Sequence, residues 1–326
     1  MRSIRLAAVA LMAAMIFCAT AWAADKPAAK SAQPQGKTFK ILLIGNSFSQ
    51  NATEYLPKLV ESQGNTLVLG HAEIGGCTLE KHWALAQKSE ADPADKEGRP
   101  YYAGPSKRSS LKEMLESDKW DIVTLQQQSW ASRDLKTYQP FAGNLAAYIR
   151  KHAPQAKIWV HETWAYRTDD TGLLKQTTQE KMYIGLRDAY ATVAKEIQAD
   201  KIIPTGTAFQ NARQDPRWQL EVPAKVDPKA FTHPDLPVQK HSLTRGWAWS
   251  EKGGKYELTY DPKHCQASGK YLAALVWYET LYGDLTQPAF APADLSEADA
   301  ALMREIAHKT VKEGLKPKLT GAKAQK

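Results

Sequence analysis

Ser47, His264 and Asp261 are the residues of this 326-residue chain whose types and settings suit acyl transfer. That chemistry needs a nucleophilic hydroxyl, an imidazole base, and a carboxylate that holds the imidazole in one tautomer. It also needs donors aimed at the developing oxyanion. The backbone N–H groups of Ser47 and Gly76 and the amide of a glutamine can supply these. The residues fall in four stretches: Gly45-Asn46-Ser47-Phe48-Ser49, Ile74-Gly75-Gly76, Gln126-Gln127-Gln128 and Asp261-Pro262-Lys263-His264. Two other chemistries are excluded, because the chain has neither the GxxxxGK[ST] phosphate loop nor the GxGxxG dinucleotide fingerprint.

The elements that must position these residues are legible. Phe39–Ile44 is an apolar run with one lysine, a buried strand that breaks at Gly45-Asn46-Ser47. Ser49, Asn51 and Thr53 are helix-capping types, and an amphipathic segment with Tyr55, Leu56, Leu59 and Val60 follows. Ser47 therefore sits where a strand hands over to a helix, the edge of an α/β sheet that carries chemistry. Further strands are expected at 66–70, 120–126, 157–161 and 201–204. Helices are expected at 111–117, 141–152, 179–198, 266–282 and 295–313, and residues 84–109 read as an exposed excursion. Alternating strands and helices imply βαβ units, here a three-layer α/β/α sandwich around a central, mostly parallel five-stranded sheet of flavodoxin-like type. Residues 243–250 and 255–260 flank Glu251-Lys252-Gly253-Gly254 as an inserted β-hairpin.

The chain opens with Arg2 and Arg5, an apolar run, and Ala21-Trp22-Ala23, the pattern of a secretory signal peptide over 1–23. Residues 24–37 read as a disordered polar linker, 38–315 as the folded domain, and 316–326 as a basic tail. Removing the leader, which holds two arginines and no acid, takes the formal charge from +8 to +6. The lysine-bearing tail accounts for part of that excess. No basic motif interleaved with aromatics points to nucleic acid. No second long apolar stretch points to a stable membrane anchor. The expected location is the periplasm or the exterior.

The four stretches resemble the blocks of the SGNH (GDSL-like) hydrolase superfamily. Gly45-Asn46-Ser47-Phe48-Ser49 looks like its first block, with Asn where many members have Asp. Gly76 matches the glycine of the second, and Asp261-x-x-His264 the last. The resemblance runs from Lys40 to about Tyr282. It implies that Ser47 is the nucleophile, His264 the base and Asp261 its partner. In the third block this chain departs, with Gln126-Gln127-Gln128-Ser129 where an Asn after a Gly is usual. Gln126 is the first choice for that oxyanion donor, and Gln128, on the same side of an extended strand, the second.

His161-Glu162-Thr163-Trp164 follows the fourth strand, which makes Glu162 and Trp164, with Gln128, candidates for the pocket wall. Cys77 adjoins Gly76 and Cys265 adjoins His264, so a Cys77–Cys265 disulfide is expected if both blocks frame one serine. No histidine or acid pair has a familiar zinc spacing, and neither metal nor other cofactor is expected. Trp247 and Trp249 share one face of the hairpin, and Trp83, Trp130 and Trp164 fall near loops. Aromatic walls in an exported serine hydrolase favour a small-molecule or glycan ester, specifically a carbohydrate O-acyl group. A lipid-directed esterase and a non-catalytic glycan-binding protein on the same fold are the alternatives.

Overall fold

Strand β1 (Thr38–Gly45) lies at the centre of the molecule's logic, since its last five residues are all buried. A strand covered on both faces reads as an unbroken apolar run rather than an alternating one. The computed structural model describes residues 36–104, 106–285 and 290–315. The expected signal peptide 1–23, all but the end of the linker 24–37, and the basic tail 316–326 lie outside the described residues.

The chain continues through α1 (Ser47–Thr53), α2 (Leu56–Ser62), β2 (Thr66–Glu73), α3 (Leu79–Ala91), β3 (Tyr101–Tyr102), β4 (Arg108–Ser109), α4 (Leu111–Glu116) and β5 (Ile122–Leu125). Then come α5 (Phe141–His152), β6 (Lys157–His161), α6 (Thr171–Leu174), α7 (Gln179–Glu196), β7 (Lys201–Ile203), α8 (Thr205–Gln214), β8 (Thr244–Lys252), β9 (Lys255–Cys265), α9 (Ala267–Tyr282) and α10 (Glu297–Glu313). The main sheet has the order β2-β1-β5-β6-β7 and is parallel throughout. Counting only its own strands this is the order 2-1-3-4-5, a doubly wound sheet whose direction of winding reverses between β1 and β5. Helix α9 packs with α1, α2, α8 and α10 in one layer, and α3, α4 and α5 pack together in the other. From Gly36 on, the chain forms one compact unit.

Three expectations change. The excursion over 84–109 begins later, because α3 runs to Ala91, started by the Thr78 side chain accepting from Lys81 N–H and held by buried Leu79, His82 and Ala86. The single segment after Ser47 is two helices, with Pro57 in the first turn of the second. Helix α8 was not foreseen. The hairpin is present as β8–β9, joined by Gly253 and Gly254 with φ of +60° and +75°, the two left-handed residues that a type I′ turn requires.

Candidate active site

Ser47 is the first residue of α1, one step past its cap, Asn46. Asn46 Oδ1 accepts from Phe48 N–H at 3.0 Å, and its Nδ2 donates to the Cys77 carbonyl at 3.0 Å. One buried side chain thus closes the helix start and fastens the Gly75-Gly76 loop to it. The carbonyl of Gly45 accepts from Ile74 N–H at 3.2 Å and lies 2.9 Å from His82 Nε2. Burial pushes the His82 ring down to about 4, so it is neutral at ordinary pH. Gly45 itself leaves no room for a side chain, since a Cβ there would lie 2.4 Å from Ser49 Oγ and 2.8 Å from Gln126 Oε1.

His264 Nε2 lies 2.9 Å from Ser47 Oγ, across 217 positions of sequence, and its Nδ1 lies 2.8 Å from Asp261 Oδ2. The other oxygen of Asp261 accepts from the backbone N–H groups of Lys263 and His264 at 3.2 and 3.1 Å. Burial would raise the Asp261 carboxyl, but the bonds from the His264 side chain and these N–H groups outweigh it and hold the acid well below the usual carboxylate range. Both side chains keep about a quarter of their surface open, 29% for His264 and 24% for Asp261, so a substrate can reach them.

The Asp-x-x-His stretch is the end of β9. Gly246 pairs with Asp261, but Thr244 pairs with Cys265, so β9 carries extra residues where the register shifts. Such an irregularity re-aims side chains, and here it frees Asp261 to turn onto the N–H groups of Lys263 and His264. Cys265 N–H donates to Asn51 Oδ1 at 2.6 Å, and Lys270 pairs with Glu54 at 2.7 Å, binding the histidine segment to α1. Asn51 carries no signal in the sequence beyond its capping type, and Asn46 none beyond its place beside Ser47.

The third block differs from expectation. Gln126 is fully buried and is spent on the scaffold. Its Oε1 accepts from Asn46 N–H at 3.3 Å and Ser49 Oγ at 2.9 Å, and its Nε2 donates to the Gln127 carbonyl. An N–H from Asn46 demands an acceptor, which fixes the amide's orientation and removes Gln126 from the oxyanion role. Gln127 is equally engaged, accepting from Leu79 N–H and donating to Thr137. Gln128 differs. It is half-buried, its Oε1 accepts from Trp130 and Ala131 N–H at 2.9 Å each, and its Nε2 has no partner among the described residues.

Gly76 occupies the second central position of a tight turn closed by Cys77 N–H to the Ile74 carbonyl at 3.0 Å. Its φ of +64° is the left-handed value that this turn position requires. The N–H groups of Ser47 and Gly76 donate to nothing among the described residues.

Neither Trp164 nor Glu162 lines a pocket; both are fully buried. Trp164 stacks between Phe48 at 4.4 Å and Phe209 at 4.7 Å, and its Nε1 donates to the Lys263 carbonyl at 2.8 Å. It is a prop beneath the Asp261–His264 segment. Glu162 accepts from Thr207 N–H at 2.7 Å and so caps α8, whose own cap position is a proline. Burial pushes its carboxyl up to about 8 against the pull of Thr207. The folded state therefore keeps a proton that the unfolded chain releases near 4.5, and stability falls as pH rises from there to about 8. Glu162→Gln should leave Tm nearly unchanged at pH 5 and raise it by about 5 °C at pH 9, read by calorimetry.

The expected Cys77–Cys265 disulfide is absent, and both thiols are free and buried. Cys77 Sγ turns back to the Thr78 carbonyl at 3.6 Å, while Cys265 Sγ faces α9 beside Gly269. The link between the two loops is made instead by Asn46 and Asn51. Trp83 lies in a groove between α3 and α5 against Tyr148, and Trp130 stacks under Arg133 at 3.9 Å.

The Ser, Gly and Asp-x-x-His stretches meet at one edge of a parallel sheet of order β2-β1-β5-β6-β7. A DUF4886 family protein from Bacteroides uniformis ATCC 8492 has a solved structure similar to this one, at 29% identity and a TM-score of 0.64, covering 86% of this chain and 97% of that one. A protein from Slackia heliotrinireducens named as a candidate SGNH hydrolase matches at 19% identity and a TM-score of 0.45, over 74% of this chain and 98% of its own. One from Parabacteroides merdae ATCC 43184 named as a candidate GDSL-like lipase matches at 14% and 0.42, over 78% and 99%. Among curated proteins nothing matches. The family model described as a domain of unknown function, DUF4886, spans residues 40–222, from the first strand of the sheet to just past α8. Taken with that span, more than half of the chain, the architecture around Ser47 is that of a DUF4886 family member, and the chain belongs to this family.

Proposed function

We propose that the protein is a serine ester hydrolase of the SGNH type. The observation that carries the reading is the unbroken relay from Asp261 through His264 to Ser47, with contacts of 2.8 and 2.9 Å, at the carboxyl edge of the sheet. Ser47 Oγ attacks an ester carbonyl and passes its proton to His264 Nε2. His264, steadied by Asp261, returns that proton to the leaving alkoxide. Water then enters, activated by the same imidazole, and releases the acid. The Ser47 and Gly76 N–H groups and Gln128 Nε2 are the donors available to the tetrahedral oxyanion. No cofactor takes part in this reading.

A fluorophosphonate probe tests it. Labelling is expected at Ser47 and lost in Ser47→Ala; a wild-type protein that takes no label overturns the proposal. Gln128→Leu should lower kcat on para-nitrophenyl acetate about 100-fold with KM little changed, the loss typical of one oxyanion donor. Unchanged kcat would return that role to the backbone alone. We place the acyl group on a carbohydrate alcohol, in an exported protein. In support, Trp247 and Trp249 are half-exposed on the hairpin that ends in the catalytic pair. No described helix is long and apolar enough to cross a membrane.

A further inference from the structure

A groove of about 700 Å³ opens beside the oxyanion loop, lined in part by Ile74, Lys81, Lys96, Glu97, Arg99 and Arg108. That volume falls in the range of small-molecule sites. Ile74 is the first residue of the turn that presents Gly76, and it spans to Cys77 in a single hydrogen-bonded step of 3.0 Å. The ends of such a turn lie within about 7 Å of each other, so the groove starts one tight turn from the oxyanion donors.

Its charge is one-sided. Four cations face one carboxylate, and that carboxylate, Glu97, is already paired with Lys88. Arg99 pairs with Glu113 at 2.9 Å. Among the described residues, Lys81, Lys96 and Arg108 have no carboxylate within ion-pair reach. Arg108 is held in place by the ring of Tyr102, 4.4 Å away, and by the Pro100 carbonyl. Arg99 donates to the Pro93 and Arg108 carbonyls. The arginines knit the loop that forms the groove, while the lysines remain uncommitted. Lys81 stands in the first turn of α3, where the helix dipole disfavours a cation. It gains no ion pair for that cost. Like charges gathered round a concave surface favour an anionic occupant and concentrate it there.

We infer that this groove is a subsite for an acidic group of the substrate, so that the ester cleaved at Ser47 is carried by an anionic polysaccharide rather than a neutral one. The inference rests on the ester-hydrolase reading and specifies its substrate class. Lys81 and Lys96 contact the anion and are specificity residues, outside the catalytic relay. Carboxylated and sulfated sugars offer the same chemistry to the lysines.

The test compares acetate release from O-acetylated polygalacturonate, O-acetylated xylan and para-nitrophenyl acetate, by wild type and by Lys81→Ala/Lys96→Ala. Wild type should prefer the anionic polymer, with KM rising as salt is added. The double variant should raise KM on that polymer about three- to tenfold, the scale of two exposed charge pairs. It should leave the neutral polymer and para-nitrophenyl acetate unchanged. Lys81→Arg/Lys96→Arg should keep the wild-type KM. Competition by polygalacturonate but not dextran sulfate assigns a carboxylate, and the reverse a sulfate; equal inhibition by neutral dextran overturns the subsite. Failure of wild type to turn over para-nitrophenyl acetate would remove the hydrolase reading, and this inference with it. Normal turnover of that ester with no preference for the anionic polymer, or binding to phosphatidylglycerol vesicles with polysaccharide kinetics indifferent to both lysines, removes the inference alone.

Discussion

Ser47→Ala should lower kcat on para-nitrophenyl acetate by about a million-fold while the protein keeps its fold, the loss seen when a triad nucleophile is removed from a serine hydrolase. The substitution removes one oxygen from a half-exposed position. Helix α1 is capped by Asn46 rather than by Ser47, so its start survives. Among the described residues the hydroxyl has one hydrogen-bond partner, His264. Thermal unfolding should therefore move by no more than about 2 °C, since one partly exposed hydrogen bond contributes about 1 kcal/mol or less. Residual activity above the rate in water is expected, because the oxyanion donors remain. Hydrolysis by Ser47→Ala at the wild-type rate would end the nucleophile assignment.

Asp261→Asn is expected to cost about 10⁴ in kcat, by reversing the tautomer of His264. Asn can still accept the backbone N–H groups of Lys263 and His264 through the oxygen at Oδ1. Its amide nitrogen would then face His264 Nδ1, where a carboxylate oxygen stands at 2.8 Å. The imidazole answers by moving its proton to Nε2, and Ser47 meets a donor instead of a base. The stability consequence has a definite sign. The Asp261 carboxyl is held below its ordinary range in the folded state. Its contribution is therefore complete above about pH 4, the value of an unfolded Asp, and is lost as pH falls through the lower folded value. The Tm difference between wild type and Asp261→Asn should stay constant from pH 5 to 9 and shrink below pH 4. A kcat within tenfold of wild type would contradict the assigned role.

Much of the site could be read along the chain because its parts are local. The apolar run of β1 ending in Gly45 says where a strand stops, and the three-residue spacing keeps Asp261 and His264 close in the chain, while the irregular register at the end of β9 turns them toward each other. The lysines of the groove were visible only as composition. The disulfide expectation failed because adjacency in sequence to two meeting loops does not set the direction of a thiol. Cys265 Sγ points toward α9, and the asparagines already join the loops. Glu162 and Trp164 follow the strand end that the sequence expects, but both are fully buried there. Strand order says which edge a residue occupies, not whether α8 and Phe48 have closed over it.

The five strands of the main sheet, the turn at Ser47 and the Asp261-x-x-His264 spacing are legible in the sequence alone, because each is written in a run of apolar residues or in a spacing of a few positions. Which of three successive glutamines is left with a free amide was decided only by the tertiary structure. Gln126 is spent on Asn46 and Gln127 on Leu79, partners 80 and 48 positions away. A buried amide must satisfy whichever donors and acceptors the fold brings to it, and those identities do not exist until the chain has folded.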